Sequence, residues 1–224
     1  MTITDHALLP AYVQGASHYG ADTADYQGWR DSLVALLPVA AGDTVLDVGC
    51  GSGLCLPQLV DKVGPGGRVI GFDEAPDMIG VARDVVRTHG WTNVTLLTAS
   101  AETVRLGEPA DAALFCAVHD VLMSPAALDN VFAQLRPGAC VAAGGGKWAP
   151  LWNVGLNALV ATLHTPYVRD LAGFDRPWQL LEHYVDDLVV DEVAFGAGYE
   201  AVGRARPVGE PALDRSSVSL GVPA

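Results

Sequence analysis

The chain has 224 residues, half of them hydrophobic and 17% charged, so one well-cored domain of ordinary size is expected and a disordered chain is excluded. Its 26 acidic residues against 13 basic ones give a net charge of −13, with the basic residues scattered, so nucleic acid and anionic lipid surfaces are excluded as partners by long-range repulsion. No uninterrupted apolar run approaches the ~20 residues of a membrane span.

Residues 1–10, with Asp5 and His6, lack the basic and apolar regions of a signal peptide. Tyr26, Trp29, Leu33, Leu36 and Leu37 recur at helical spacing between Asp25 and Pro38, which predicts a helix laid over a sheet edge or across a pocket mouth, within an N-terminal lid at 1–40. From Thr44 onward strand-like and helix-like runs alternate. Strands are expected at 44–48, 68–72, 94–99, 112–116 and 139–143, with helices at 54–63, 76–89 and 126–135. Such alternation means βαβ units and a parallel sheet with helices on both faces. Gly64-Pro65-Gly66-Gly67 and Arg136-Pro137-Gly138 stop helices before strands, and Asp77 or Glu74 is expected to cap the helix at 76–89. An insertion at 147–187 then precedes two runs, 188–195 and 199–205, that read as an antiparallel closing hairpin around Gly196 and Gly198. The expected fold is α/β and doubly wound, seven strands in all, with the main domain at 41–206 and a Pro-, Gly- and Ser-rich surface tail at 207–224.

Four cysteines, Cys50, Cys55, Cys116 and Cys140, form no CxxC pair and no ligand-like spacing with the six histidines. Free thiols, no metal site and a reducing cytoplasmic setting are expected.

The most informative stretch runs Val45-Leu46-Asp47-Val48-Gly49-Cys50-Gly51-Ser52-Gly53, an apolar strand leading into closely spaced glycines and a helix. Glycine is needed where backbone approaches a ligand or takes positive φ, so a ligand floor at the carboxyl end of a parallel strand is inferred. A dinucleotide fingerprint from Gly49 and Gly51 would need glycine where Leu54 stands, and a phosphate-binding loop would need Gly-Lys-Ser/Thr. Asp47 beside the loop repels pyrophosphate and suits an ammonium or sulfonium ligand. A carboxylate about twenty residues further on, Asp73, can take a ribose diol.

These motifs, ordered from Asp43 to Ala143, resemble those of the class I S-adenosylmethionine-dependent methyltransferases, in particular the subgroup similar to ubiquinone and menaquinone biosynthesis methyltransferases. The resemblance implies a Rossmann-like sheet with S-adenosylmethionine as cofactor. It implies that Asp47, Gly49, Gly51 and Gly53 contact the methionine moiety, Asp73 the ribose, and Met78 the adenine. Where relatives have Asp-Ala-Glu after the third strand this chain has Ser100-Ala101-Glu102, so adenine contacts would shift to the Ser100 hydroxyl, the Ala101 amide or water. Cys116 would flank the sulfonium, and Tyr19 would close over the cofactor.

Methyl transfer from a sulfonium needs in-line positioning and exclusion of water more than a dedicated base. Should the acceptor be a phenol, alcohol or acidic carbon, His119 is the candidate base, with Asp120 beside it to orient the ring. The insertion is expected to wall the acceptor pocket with Trp148, Trp152, Tyr167, Phe174 and Trp178, and with a polar stripe of Asn153, Asn157 and His164. The competing reading is that the stripe faces solvent and the aromatics belong to the core. The expected function is methylation of a small, largely apolar acceptor, oxygen before carbon before nitrogen. The rivals are a cofactor-binding protein without transfer and a nicotinamide-dependent oxidoreductase. The oligomeric state is left open, with a homodimer as the one state named.

Overall fold

The structure, a computed structural model, describes residues 8–207. The tail expected at 207–224 therefore falls, apart from Pro207, outside the described residues. The helices are α1 (Pro10–Val13), α2 (Tyr19–Asp22), α3 (Gln27–Leu36), α4 (Leu56–Val63), α5 (Pro76–His89), α6 (His119–Leu122), α7 (Pro125–Phe132) and α8 (Val154–His164). The strands are β1 (Thr44–Val48), β2 (Arg68–Asp73), β3 (Val94–Thr98), β4 (Ala110–Cys116), β5 (Leu135–Gly146), β6 (Val185–Val193) and β7 (Gly198–Ala205).

They form one seven-stranded sheet in the order β3-β2-β1-β4-β5-β7-β6, as the α/β reading expects. The first five strands pair in parallel, and β7 runs antiparallel to both β5 and β6. Successive residues of each parallel strand feed opposite faces. Val45, Val69, Leu114 and Ala142 pack with Leu33, Leu37, Leu56 and Leu59 from α3 and α4 on one side. Leu46, Ile70, Phe115 and Val141 pack with Leu128 and Val131 of α7 and with Trp178 and Leu181 on the other. Burial on both faces is why these strands read as continuous apolar runs.

Several local expectations shift. Helix α3 lies on the sheet face, because its Leu33, Val34 and Leu37 enter the core and Gly144 lets Leu33 and Trp29 approach β5. It is not draped over the sheet edge. Neither Asp77 nor Glu74 caps α5; the N-cap is Ala75, which makes no side-chain cap, and its amide instead donates to Asp73 Oδ1 at 2.8 Å. Ser124 caps α7. Strand β5 starts at Leu135, ahead of the Pro-Gly turn, and β6 starts at Val185 with an irregularity between Asp186 and Val189. All four cysteines are free.

Candidate active site

A cavity of about 580 Å3 opens at the carboxyl ends of β1, β2 and β4. Its floor is the loop after β1, where Gly49, Gly51 and Gly53 have φ of 61°, 53° and 84°. The three do different work. A Cβ on Gly49 would meet Val118 at 2.7 Å, one on Gly53 would meet Leu56 at 2.7 Å and Ala82 at 3.3 Å, and one on Gly51 would meet nothing. Gly49 and Gly51 line the cavity, whereas Gly53 is the close-packing point between the loop, α4 and α5. The expected contact of Gly53 with a ligand is corrected on that ground.

Asp47, near the end of β1, is 2% exposed, and its Oδ2 has no hydrogen-bond partner among the described residues. Burial first, and the charge of Asp73 second, push its carboxyl up to about 7. Asp73 ends β2 and accepts the amides of Gly51 at 3.0 Å and Ala75 at 2.8 Å, one on each oxygen. Burial raises its pKa while those two amides pull it down. A carboxylate has about four lone-pair sites, so acceptor capacity remains for a diol.

The counterpart of Asp47 is a residue the sequence reading missed. Arg30, on α3, is 5% exposed and donates to the Thr23 carbonyl at 3.0 Å and the Thr23 hydroxyl at 2.8 Å. Among the described residues no carboxylate pairs with it. A buried carboxyl and a buried cation, neither with a counter-ion among the described residues, line one cavity beside a diol-competent carboxylate. An amino-acid zwitterion joined to a nucleoside fits this donor set, whereas a pyrophosphate would face two carboxylates. In the sequence Arg30 is an arginine inside an amphipathic helix, which ordinarily signals a solvated face.

The N-terminal segment and the insertion meet above this floor. Tyr12, Tyr19 and Tyr167 surround one another, with Tyr19 and Tyr167 edge to face at 5.5 Å, and the Tyr12 hydroxyl donates to the Tyr167 carbonyl at 2.6 Å. Burial pushes the Tyr19 phenol up to about 12, opposed by the charge of Arg30. Arg169 ties the insertion to both sheet loops through Glu74 at 2.7 Å and Asp120 at 3.6 Å. Met78 lines the cavity and also packs on Ala16 and Ala75. Ser100, Ala101 and Glu102 line the far side, where the Ser100 and Thr103 hydroxyls share a 2.9 Å bond and Glu102 accepts from Ser124 at 2.9 Å. Cys116 and Ala117 reach the cavity from the tip of β4, Ala117 at φ 57°.

His119 opens α6 and lines the same cavity. Its Nε2 lies 2.9 Å from the Ala172 carbonyl, which can only accept, so Nε2 carries the proton and Nδ1 keeps a lone pair. That Nδ1 has no partner among the described residues. Burial lowers the imidazole pKa. Asp120 does not orient the ring, because its carboxylate accepts the Arg169 amide and pairs with the Arg169 side chain, while its charge still polarises the imidazole and opposes the effect of burial.

Of the expected acceptor wall only Tyr167 lines the cavity. Trp152 stands 81% exposed. Trp178 packs on Tyr199 in the core, with ring centroids 5.0 Å apart. Asn153 caps α8, and Asn157 holds both the amide and the carbonyl of Ala149, at 2.9 and 3.2 Å. Trp148 and His164 stack edgewise on Phe174, which in turn lies edge to face with His119 at 4.8 Å. This aromatic group is a layer behind His119. Both earlier readings of the polar stripe give way, since Asn153, Asn157 and His164 satisfy local backbone groups and face the protein.

A family profile described as a methyltransferase domain matches residues 40–145. Aklanonic acid methyltransferase DauC of Streptomyces sp. (strain C5) is 38% identical over 99 residues, 43% of this chain and 44% of that protein. Demethylmenaquinone methyltransferase of Shouchella clausii is 36% identical over 76 residues, 34% of this chain and 32% of that one. Each match thus spans less than half the length of the curated relative. Among solved structures, the complex between the Haloferax volcanii Trm112 methyltransferase activator and a methyltransferase superposes with TM-score 0.65 at 20% identity, covering 88% of this chain and 98% of that one. That likeness supports the fold. Among the described residues no helix is long and apolar enough to cross a membrane. The strand order, the acidic glycine loop and the profile match agree that residues 40–145 of this chain resemble a methyltransferase domain.

Proposed function

We propose that the chain transfers a methyl group from S-adenosylmethionine to a small, largely apolar acceptor, oxygen before carbon or nitrogen. The observation that carries this reading is a buried acid and a buried base that share one cavity, Asp47 with an unpartnered carboxyl oxygen and Arg30 with no carboxylate partner among the described residues. Asp47 would take the ammonium and Arg30 the carboxylate of the amino-acid portion, with Asp73 taking the ribose hydroxyls. Gly51 leaves the space that close approach requires, and Cys116 with Ala117 would border the sulfur. Met78, Ser100, Ala101 and Glu102 would bound the adenine, and Tyr19 the open side.

When bound, S-adenosylmethionine supplies an already activated methyl group, so the protein's part is alignment and the exclusion of water. The tyrosine group and the Arg169 tie perform the exclusion. His119, neutral because burial disfavours its charged form, holds an unpartnered lone pair at Nδ1 that can take a proton from an acceptor hydroxyl. This lone pair favours oxygen as the acceptor atom. The named acceptors of the two relatives, aklanonic acid and demethylmenaquinone, support an organic acceptor of some size. The expectations of no nucleic-acid partner and a cytoplasmic setting belong to this reading.

Calorimetry tests the assignment. S-adenosylhomocysteine should bind the wild type, and Arg30→Met and Asp47→Asn should each weaken it about 10-fold or more. Methylthioadenosine, which lacks the amino-acid portion, should bind all three proteins alike. Equal losses for both ligands would refute the charge-pair reading.

A further inference from the structure

Helix α8 is built inside out. The N-cap Asn153 and the helix residues Asn157 and His164 face the protein and are half-buried, Val160 is its one buried residue, and Val154, Leu159 and Leu163 are exposed along with Thr162. A helix this apolar belongs in a core. From 148 to 168 the chain contains no Asp, Glu, Lys or Arg, although its net charge is −13. Immediately before α8, Leu151 and Trp152 stand 91% and 81% exposed.

A second apolar tip lies beside the first. The turn between β6 and β7 presents Phe195 at 93% exposure, and both Ala194 and Phe195 hold positive φ, 51° and 57°. Each such non-glycine residue costs about 1 kcal/mol or more. A Cβ on Gly196 would fall 3.0 Å from Pro150, so the two tips touch. The buried Lys147 fastens them, donating to the Trp148 carbonyl at 2.8 Å and the Gly196 carbonyl at 3.2 Å and pairing with Glu192 at 3.1 Å. Strained backbone thus holds a phenyl ring in water on one tip, and the neighbouring tip carries an exposed indole.

We propose that Leu151, Trp152, Val154, Phe195 and the outer face of α8 form a two-fold interface with a second copy of this chain. Two aromatic rings at roughly 150–250 Å2 each, with the neighbouring aliphatic side chains, offer on the order of 600 Å2 per copy. Doubled, this reaches the ~1,200 Å2 at which specific interfaces begin. Isolated monomers rarely expose an apolar patch of that size. Charge selects the same occupant. Two chains of −13 repel across most approaches, whereas this face brings uncharged segments together, and an anionic lipid surface would be repelled. The inference stands apart from the proposed reaction, since none of these residues lines the cavity.

Sedimentation equilibrium of the full chain should give twice the 23.4 kDa chain mass at concentrations up to about 100 µM. Added salt should tighten the dimer by screening the acidic surfaces. The double variant Trp152→Asp with Phe195→Asp should sediment as a monomer with unchanged circular dichroism, because aspartate tolerates positive φ. Leu151→Lys, at a nearly fully exposed position, should shift the equilibrium the same way and retain binding of S-adenosylhomocysteine. A wild-type monomer at 100 µM, or a dimer that survives these variants, overturns the proposal. A monomer that floats with neutral phosphatidylcholine vesicles overturns it too, and assigns the patch to lipid.

Discussion

Asp47 and Asp73 occupy equivalent ends of adjacent strands and have different tasks because their partners differ. Asp73 spends part of its acceptor capacity on the Gly51 and Ala75 amides, which pins its orientation. Asp73→Ala should weaken S-adenosylhomocysteine by about 1.5–3 kcal/mol, the scale of a hydrogen bond to a charged group, and the check is calorimetry with the fold verified by circular dichroism. Unchanged affinity would remove the ribose role. For His119, the Ala172 carbonyl fixes the tautomer that leaves Nδ1 free, so His119→Ala should lower kcat about 100-fold with cofactor affinity intact if it is the base. Because burial lowers its pKa, the acid limb of kcat should lie below the ordinary histidine value of 6.5. An acid limb above that value would indicate another group. His119 and Asp73 were legible from their positions at strand ends. Arg30 was not, since nothing in a helical repeat separates a buried arginine from a solvated one.

At the scale of elements, the glycine loop shows how one motif combines an open cavity floor with close packing. Gly51 and Gly53 both hold positive φ, but only Gly53 is hemmed in by Leu56 and Ala82. Gly53→Ala should therefore lower the melting temperature more than Gly51→Ala does, by several degrees. Gly51→Ala should chiefly weaken S-adenosylhomocysteine by filling the cavity floor. Thermal melts of both variants with and without the ligand separate the two effects; the reverse order would contradict the division. The same contrast runs through α8, where Asn157 serves the Ala149 backbone and leaves apolar residues outside. Helical periodicity located that polar stripe but could not say which way it points, because the direction depends on an irregular segment eight residues away.

Across the whole molecule, folding buries an acid that has no counter-ion among the described residues. Folded Asp47 keeps its proton up to about pH 7, while the unfolded chain releases it near the ordinary 3.8. Its stabilising effect is complete below 3.8 and is lost as pH rises to about 7, where the folded chain must hold a buried charge. Denaturant melts of the free protein should show stability falling over that window, with a shallower fall in Asp47→Asn; identical slopes would show that Asp47 does not keep its proton in the folded chain. Binding of a cationic ligand should release a proton near pH 7, visible as a buffer-dependent heat. By itself the sequence determined the alternation of strand and helix, the seven-stranded doubly wound class, the acidic glycine loop and Asp73, because short-range periodicity and turn chemistry fix these locally. The tertiary structure alone decided that Arg30 faces the cavity, that Asp120 serves Arg169, that the aromatic insertion stands behind His119, and that α8 turns its apolar side outward. Each of those depends on contacts between segments distant in the chain, and side-chain direction at such contacts follows from packing, which no local pattern encodes.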